Sequence, residues 1–423
     1  MIARRHVFHI GGYDPIAPDV LLARFRRSIL SFKNNWNAKT TVSDLTASTN
    51  ISASWTAEAS ASNWKTLTVY EMLRWDDLIL QDFQRGGVSR FAQAALTLFD
   101  FIVTGTLVRY GRSSWRYTSF FLFPYFLVMA FAIFSLCTAY VASRILSWSS
   151  VGGLLFVALA ATTIFIALVR WSRWSGTISH AFDDWIFSRQ FLYGQRMQME
   201  HRIDEFADQI VKRARAADTD EIVIVGHCLG AALTMQAVAK AATKDPKLGQ
   251  HGPAICVLTV GATIPKFSLH PREESARQAT EAVARNPDIR WTEYHARDDI
   301  ISFYRFDPVT LTHIRPDRSD GRPNIRRVQM PAMMSAASFK RRRFNFMRMH
   351  YQFLMGNDQR CAYDYCMILC GPLPFDEITG PEGGVHRFAL DGSLIDVTAR
   401  DGCRIETPFN PPPAPAATFA QHR

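Results

Sequence analysis

The chain has 423 residues, more than one average domain, and can bury a sizeable core. Its formal net charge is +10, carried mostly by arginine, which points to an acidic partner: nucleic acid, an anionic membrane surface or acidic substrates. Seven cysteines, odd in number and scattered, argue against a disulfide framework and for a reducing compartment.

The chain opens MIARRHVFHIGGYDP, passing at once into a strand pattern over residues 5–10 and a Gly11-Gly12 turn. No basic segment precedes a long apolar run and a cleavage site, so no secretory signal peptide is expected. Residues 18–36 have helical spacing, with Val20, Leu21, Phe25, Ile29 and Phe32 on one side. Residues 40–45, 52–57 and 66–72 alternate or favour β-formers, with polar turns between them. Residues 88–108 are apolar but contain Arg90 and Asp100. A central Asp is costly in lipid, so this segment reads as an interfacial or partner-packed helix rather than a span.

Residues 119–142 and 151–169 contain no charged residue. Each is near the ~20 residues that cross a bilayer core as a helix, and buried helices of soluble proteins usually keep a polar face. The linker SRILSWSS is short enough for a hairpin. Tyr110, Trp115, Tyr117, Trp148, Trp171 and Trp174 are expected in interfacial belts. Arg109, Arg112 and Arg116 precede the first span, Arg170 and Arg173 follow the second, and the linker holds only Arg144. The positive-inside rule then places both flanks, both termini and the rest of the chain in the cytoplasm.

Residues 195–216 form a charged amphipathic helix pattern that leads into the apolar run EIVIVGH. A second apolar run, AICVLTVG at 254–261, a polar helix at 271–285, a strand at 288–295 and a helix at 348–369 follow. Strands alternating with helices predict an α/β fold, a mostly parallel sheet with helices on both faces, into which the hairpin is inserted. The expected division is 1–87 (early strands and helix of the core), 88–175 (membrane-associated helix and hairpin), 176–370 (main core) and 371–423 (extension with a disordered Pro-rich tail).

The stretch Gly226-His227-Cys228-Leu229-Gly230 stands between an apolar strand and a small-residue helix. A side chain set on so sharp a turn needs small neighbours, and Gly226, Gly230, Ala231 and Ala232 supply them. Its tip projects from the carboxyl edge of the sheet, where open α/β sheets bind ligands, and a helix N-terminus favours thiolate. The plainer reading is a structural cysteine in a glycine-tolerant turn.

Residues 222–232 resemble the nucleophile elbow of α/β-hydrolases, especially lipase-like members, most of which have Ser where Cys228 stands. Dienelactone hydrolases and polyhydroxyalkanoate synthases have cysteine in that box. The resemblance is strong over the elbow and loose elsewhere, and the hairpin lies outside it. It implies a triad in the chain order nucleophile, acid, histidine. Asp298-Asp299-Ile300-Ile301-Ser302 resembles the lipase stretch Asp-Asp-Ile-Val-Pro, which maps the acid to Asp299, with Asp298 as the alternative. Asp307 reads as an Asp-Pro turn. Of His313, His350, His386 and His422, His350 stands in a context similar to the base of lipase-like enzymes. His227 corresponds to a supporting residue, since strand neighbours point to opposite sides. The oxyanion donors would be the amide of Leu229 and that of Gly12 or Tyr13, because His9-Ile10-Gly11-Gly12 resembles the family's His-Gly-Gly segment.

The spacing of Cys361, Cys366 and Cys370 fits no usual zinc pattern, and no metal or cofactor is expected. The basic run Lys340-Arg341-Arg342-Arg343 lacks the stacking modules of nucleic-acid binders. It reads as a contact for anionic lipid headgroups or as a solvated helix face. The expected activity is hydrolysis of an ester or thioester of an apolar or lipid substrate. An acyltransferase on the same triad and a degenerate membrane scaffold are the alternatives. Nothing in the sequence sets the oligomeric state.

Overall fold

The computed structural model describes residues 1–145, 151–174, 177–315 and 321–395, without the side chains of 171–174 and 177. Trp148, Cys403, His422 and the Pro-rich tail lie outside the described residues, as do the side chains of Trp171, Arg173 and Trp174.

The chain begins with β1 (Arg4–Ile10), α1 (Pro18–Trp36), β2 (Lys39–Val42), β3 (Ala47–Ser48), β4 (Ser52–Ser60) and β5 (Lys65–Leu73). Seven helices follow: α2 (Asp76–Phe83), α3 (Gly87–Val103), α4 (Thr106–Ser113), α5 (Trp115–Ile145), α6 (Val151–Trp174), α7 (Thr177–Leu192) and α8 (Met197–Ala216). Then β6 (Glu221–His227), α9 (Leu229–Lys244), β7 (Ala254–Val260), α10 (Ile264–Ser268), α11 (Glu274–Arg285), β8 (Ile289–Ala296) and β9 (Asn324–Val328) complete the sheet. The remainder comprises α12 (Met330–Met333), α13 (Ala336–Arg342), α14 (Phe346–His350), α15 (Tyr365–Cys370) and α16 (Phe375–Ile378).

The sheet runs β2-β4-β5-β1-β6-β7-β8-β9, with β3 on β4. From β5 to β9 every pairing is parallel, whereas β2, β3 and β4 pair antiparallel at one end. Strands covered on both faces read as unbroken apolar runs, and β6 has every residue buried. Its alternate residues feed two cores. Ile222 and Ile224 join Phe8, Val257 and Trp291 on one face, and Val223 and Val225 join Val7, Leu258 and Phe25 of α1 on the other. Val20 of α1, grouped by spacing with the apolar side, is instead exposed.

Two helices, Trp115–Ile145 and Val151–Arg170, are long and apolar enough to cross a membrane. With 31 residues, α5 measures about 46 Å, more than the ~30 Å of a bilayer core. Its first turns are held by protein: Phe121 stacks on Phe101 of α3, and Tyr117 lies 4.1 Å from Phe303. Tyr110 and Tyr117 are therefore core residues, not belt residues, while Trp115 is 70% exposed.

The segment 88–108 is two helices, α3 and α4, bent by 75° where Gly105 takes a positive φ. Its charges are paired inside the protein. Arg90 meets Asp183 of α7 at 2.9 Å, and Asp100 accepts from the Tyr193 hydroxyl at 2.5 Å. The helix expected over 348–369 is also broken, into α14, a 3-10 turn at Tyr351–Leu354, a loop and α15. The reason is tertiary. Gly356 presses against α1, where a Cβ would stand 2.7 Å from the Ser28 carbonyl, and Asp364 caps a new helix through the Met367 amide.

Candidate active site

The carboxyl ends of β1, β6, β7 and β8 bring the sequence candidates to one sheet edge. Register pairs Ile10 with Gly226, and His227 with Val260. The Gly11-Gly12 turn therefore leaves the sheet beside the Gly226-His227-Cys228 turn.

Cys228 occupies φ 56°, ψ −126°, a conformation that costs a non-glycine residue on the order of 1–3 kcal/mol. The surroundings hold it there. Its N–H donates to the Val260 carbonyl at 3.3 Å, and its carbonyl accepts from the Thr263 and Ala231 amides, each at 3.2 Å. The flanking glycines are sterically required. A Cβ on Gly226 would lie 2.6 Å from Ala231 Cα, and one on Gly230 would lie 2.2 Å from the Ile10 carbonyl. The side chain of Cys228 is half-buried and unbridged.

Gly12 faces the cysteine directly: a Cβ there would stand 2.7 Å from Cys228 Cβ and 3.3 Å from its Sγ. Among the described residues, no acceptor takes the amide hydrogens of Gly12, Tyr13 or Leu229. Leu229 is the first residue of α9, so its amide has no partner within the helix. Gly11 stands one residue back, over the His9 ring.

His350 and Asp299 are both buried, and His350 Nδ1 donates to the two carboxylate oxygens at 2.9 and 3.0 Å. The Ile301 amide donates to the same carboxylate at 3.0 Å. Burial raises the Asp299 carboxyl, but the imidazole and these hydrogen bonds outweigh it and hold it below the usual range. Burial likewise pulls His350 down. The charge of Asp299 and its hydrogen bonds, joined by the nearby Cys228, overcome it and raise the imidazole to about 10. His9, buried without a carboxylate, is pushed down to about 4. The second ring nitrogen of His350, Nε2, is buried and has no well-aligned hydrogen bond, so its orientation rests on Asp299 and on packing.

The other sequence candidates fall elsewhere. Asp298 makes no bond to His350, whose partner is Asp299. Asp307 caps its own turn through the Val309 amide. His313 bonds the Arg112 carbonyl, and His386 pairs with Glu382 at the surface. His227 is buried, bonds the His350 carbonyl through Nε2 at 3.3 Å, and packs its ring 4.5 Å from that of His350. Cys366 and Cys370 are core residues of α15, and Cys361 bonds the Tyr363 carbonyl.

Several contributors have no signal in the sequence. Gly261, at φ 54°, lets the His350 ring lie where its own Cβ would be 3.0 Å from Cε1. Tyr351 bonds Asp14 and so ties the His350 segment to the Gly12 turn. Lys266, buried in α10, pairs with Asp184 of α7 at 2.7 Å, and burial lowers its ammonium. Beside Gly12 and His227 lies a narrow cleft with a free volume of about 40 Å³. Leu21, Phe25, Met72, Trp75 and Leu354 give it apolar walls, and Arg24 and Asp14 lie at its polar side. It borders the Gly226–Gly230 turn without including Cys228, Asp299 or His350.

No family model, curated protein or solved structure matches the chain.

Proposed function

We propose that the chain is a membrane-anchored hydrolase of the α/β-hydrolase type that cleaves an ester or thioester of an apolar or lipid acyl group. The observation that carries this reading is Cys228, held at a strained tip between two sterically obligatory glycines, on the edge where Asp299 grips His350. The acid follows β8 and the histidine follows β9, the chain order that the resemblance implies.

In the proposed reaction His350 Nε2 takes the Cys228 thiol proton as the sulfur attacks the acyl carbonyl. The carbonyl electrons move to oxygen, which the amides of Leu229 and of Gly12 or Tyr13 hold. Collapse expels the alcohol or thiol, which takes its proton from His350 Nε2 and leaves a thioester on Cys228. A water then gives its proton to His350 and adds to that thioester. The acid is released, and the proton returns to sulfur. Asp299 fixes the ring through Nδ1 throughout. The cleft beside Gly12 offers apolar walls for the acyl chain. The excess of arginine on the hairpin flanks supports a cytoplasmic position for this edge and for both termini.

The test is labelling of the detergent-solubilised protein with fluorophosphonate and iodoacetamide probes, comparing wild type with Cys228→Ala, His350→Ala and Asp299→Asn. Labelling that vanishes in the first and weakens in the other two supports the triad and justifies a screen of acyl esters and thioesters. An added acceptor alcohol or thiol then separates hydrolysis from acyl transfer. A Cys228 that reacts no faster than an ordinary thiol, unaffected by the other substitutions, sinks the proposal in favour of a scaffold.

A further inference from the structure

The five parallel pairings give the sheet a single carboxyl edge, and the foot of the hairpin sits on it. Arg116 bonds the Arg297 carbonyl just past β8, and Tyr117 packs on Phe303 in the same loop. Tyr110 donates to the Lys266 carbonyl just past β7 at 2.6 Å. A bilayer crossed by α5 and α6 therefore faces that edge.

Because β9 is parallel to β8, the chain beyond Val328 emerges on the same edge. There it builds α13, a helix without a single buried residue. Lys340, Arg341 and Arg343 are exposed, Arg342 is half-buried, and residues 336–348 include no acidic side chain. Immediately after them, Phe344 is 73% exposed, Phe346 46% and Met347 44%. The Arg343 guanidinium lies 4.7 Å over the Phe344 ring. A soluble surface has little reason to present two aromatics and a methionine beside four cations. Aromatics that enter the acyl boundary next to cations that meet anionic headgroups are the makeup of an interfacial contact.

We propose that residues 336–347 are a second membrane contact, which docks on the anionic lipid headgroups of the bilayer that the hairpin crosses. The occupant follows from charge complementarity and from the shared edge. The two aromatics enter between headgroups while the cations stay at their level. The segment leads straight into α14, whose last residue is His350, so docking and the candidate site share one short stretch of backbone. The inference needs only the hairpin in a bilayer and stands whether or not Cys228 is a nucleophile.

Hydrogen–deuterium exchange on the full chain in lipid nanodiscs tests it without reference to activity. Discs of neutral phosphatidylcholine are compared with discs containing phosphatidylserine. Exchange over residues 336–347 should slow several-fold in the anionic discs. It should return to the neutral-disc rate in Arg341→Gln/Arg343→Gln and in Phe344→Ser, while the strands β6–β8 exchange alike in every sample and so report an intact fold. Equal exchange of the segment in both kinds of disc overturns the proposal. So does protection that appears only when a single-stranded RNA oligomer is added, which would reassign the patch to nucleic acid.

Discussion

Replacing Gly230 by Ala tests the geometry of the Cys228 turn most directly. The new Cβ would stand 2.2 Å from the Ile10 carbonyl oxygen, 2.4 Å from that of Gly11 and 2.8 Å from the Gly11 carbonyl carbon. All three are backbone atoms that no side-chain rotation can clear. Unstrained contacts of this kind lie near about 3.5 Å, so the Gly11-Gly12 turn and the start of α9 must separate by about 1 Å. Overpacking of that kind costs roughly 1–3 kcal/mol of stability. The larger effect falls on reactivity, because the same motion draws the Gly12 amide away from Cys228, and a misplacement of about 1 Å costs on the order of a hundredfold. The assay is the rate of fluorophosphonate labelling at Cys228 in detergent, paired with the thermal midpoint of each sample. Gly111→Ala is the control, since nothing lies within 4 Å of its Cβ and a helical Ala replaces a Gly. Gly12→Ala, which strikes Cys228 itself at 2.7 Å, should lose labelling even where the fold is kept. A Gly230→Ala protein that labels at the wild-type rate with a wild-type midpoint would refute the close approach of helix and turn.

The pair His350–Asp299 makes a pH prediction. His350 is raised from an ordinary 6.5 to about 10, so its contribution to stability is complete below about pH 6.5 and disappears as pH rises through about 10. Thermal midpoints should decline across that window in wild type and stay flatter in Asp299→Asn, where burial acts on the ring without the carboxylate's charge to oppose it. A wild-type midpoint constant across the same window counts against the ion pair. Gly261→Ala puts a Cβ 3.0 Å from His350 Cε1 at a residue with φ 54°, so it should slow labelling of Cys228 while costing only about 1–2 kcal/mol of stability in denaturation. Arg5 and Glu221 form a buried pair at 2.9 Å, with Arg5 also donating to the Gly371 and Leu373 carbonyls. Among the described residues, Arg5→Met leaves the buried Glu221 carboxylate with only the Phe375 amide and Arg290 at 4.0 Å, and should cost about 3–5 kcal/mol, most of it recovered in Arg5→Met/Glu221→Met. A single variant as stable as wild type in chemical denaturation contradicts that burial.

Local chemistry makes much of this protein legible in its sequence. Apolar runs bounded by glycine and proline place β6, β7 and β8, because strands covered on both faces cannot alternate with polar residues. Two uncharged stretches mark the candidate spans, because length and hydropathy are local properties. The spacing in Gly-His-Cys-Leu-Gly marks a turn that needs small flanks, and both glycines prove to be packed against backbone or side-chain atoms. The Asp100 of α3 is met inside the protein by Tyr193 and Arg189, while α3 and α4 together are long and apolar enough to form one broken span.

What the tertiary structure alone decides depends on residues far apart in the chain. The resemblance favours Asp299 over Asp298, but its contact with His350 is tertiary, because β8 ends at Ala296 and the following turn aims one carboxylate inward. The break at Gly356 comes from the surface of α1, and the burial of Tyr110 and Tyr117 comes from α3, α10 and the loop after β8, none of which is visible in the local pattern. Gly261 and Lys266 carry no motif, because their roles consist only of who their neighbours are. Periodicity reports how one segment divides its own faces between core and surroundings. Which partner fills each face is a property of the packed whole, set by shape and charge between residues distant in the chain, and only the assembled sheet edge shows it.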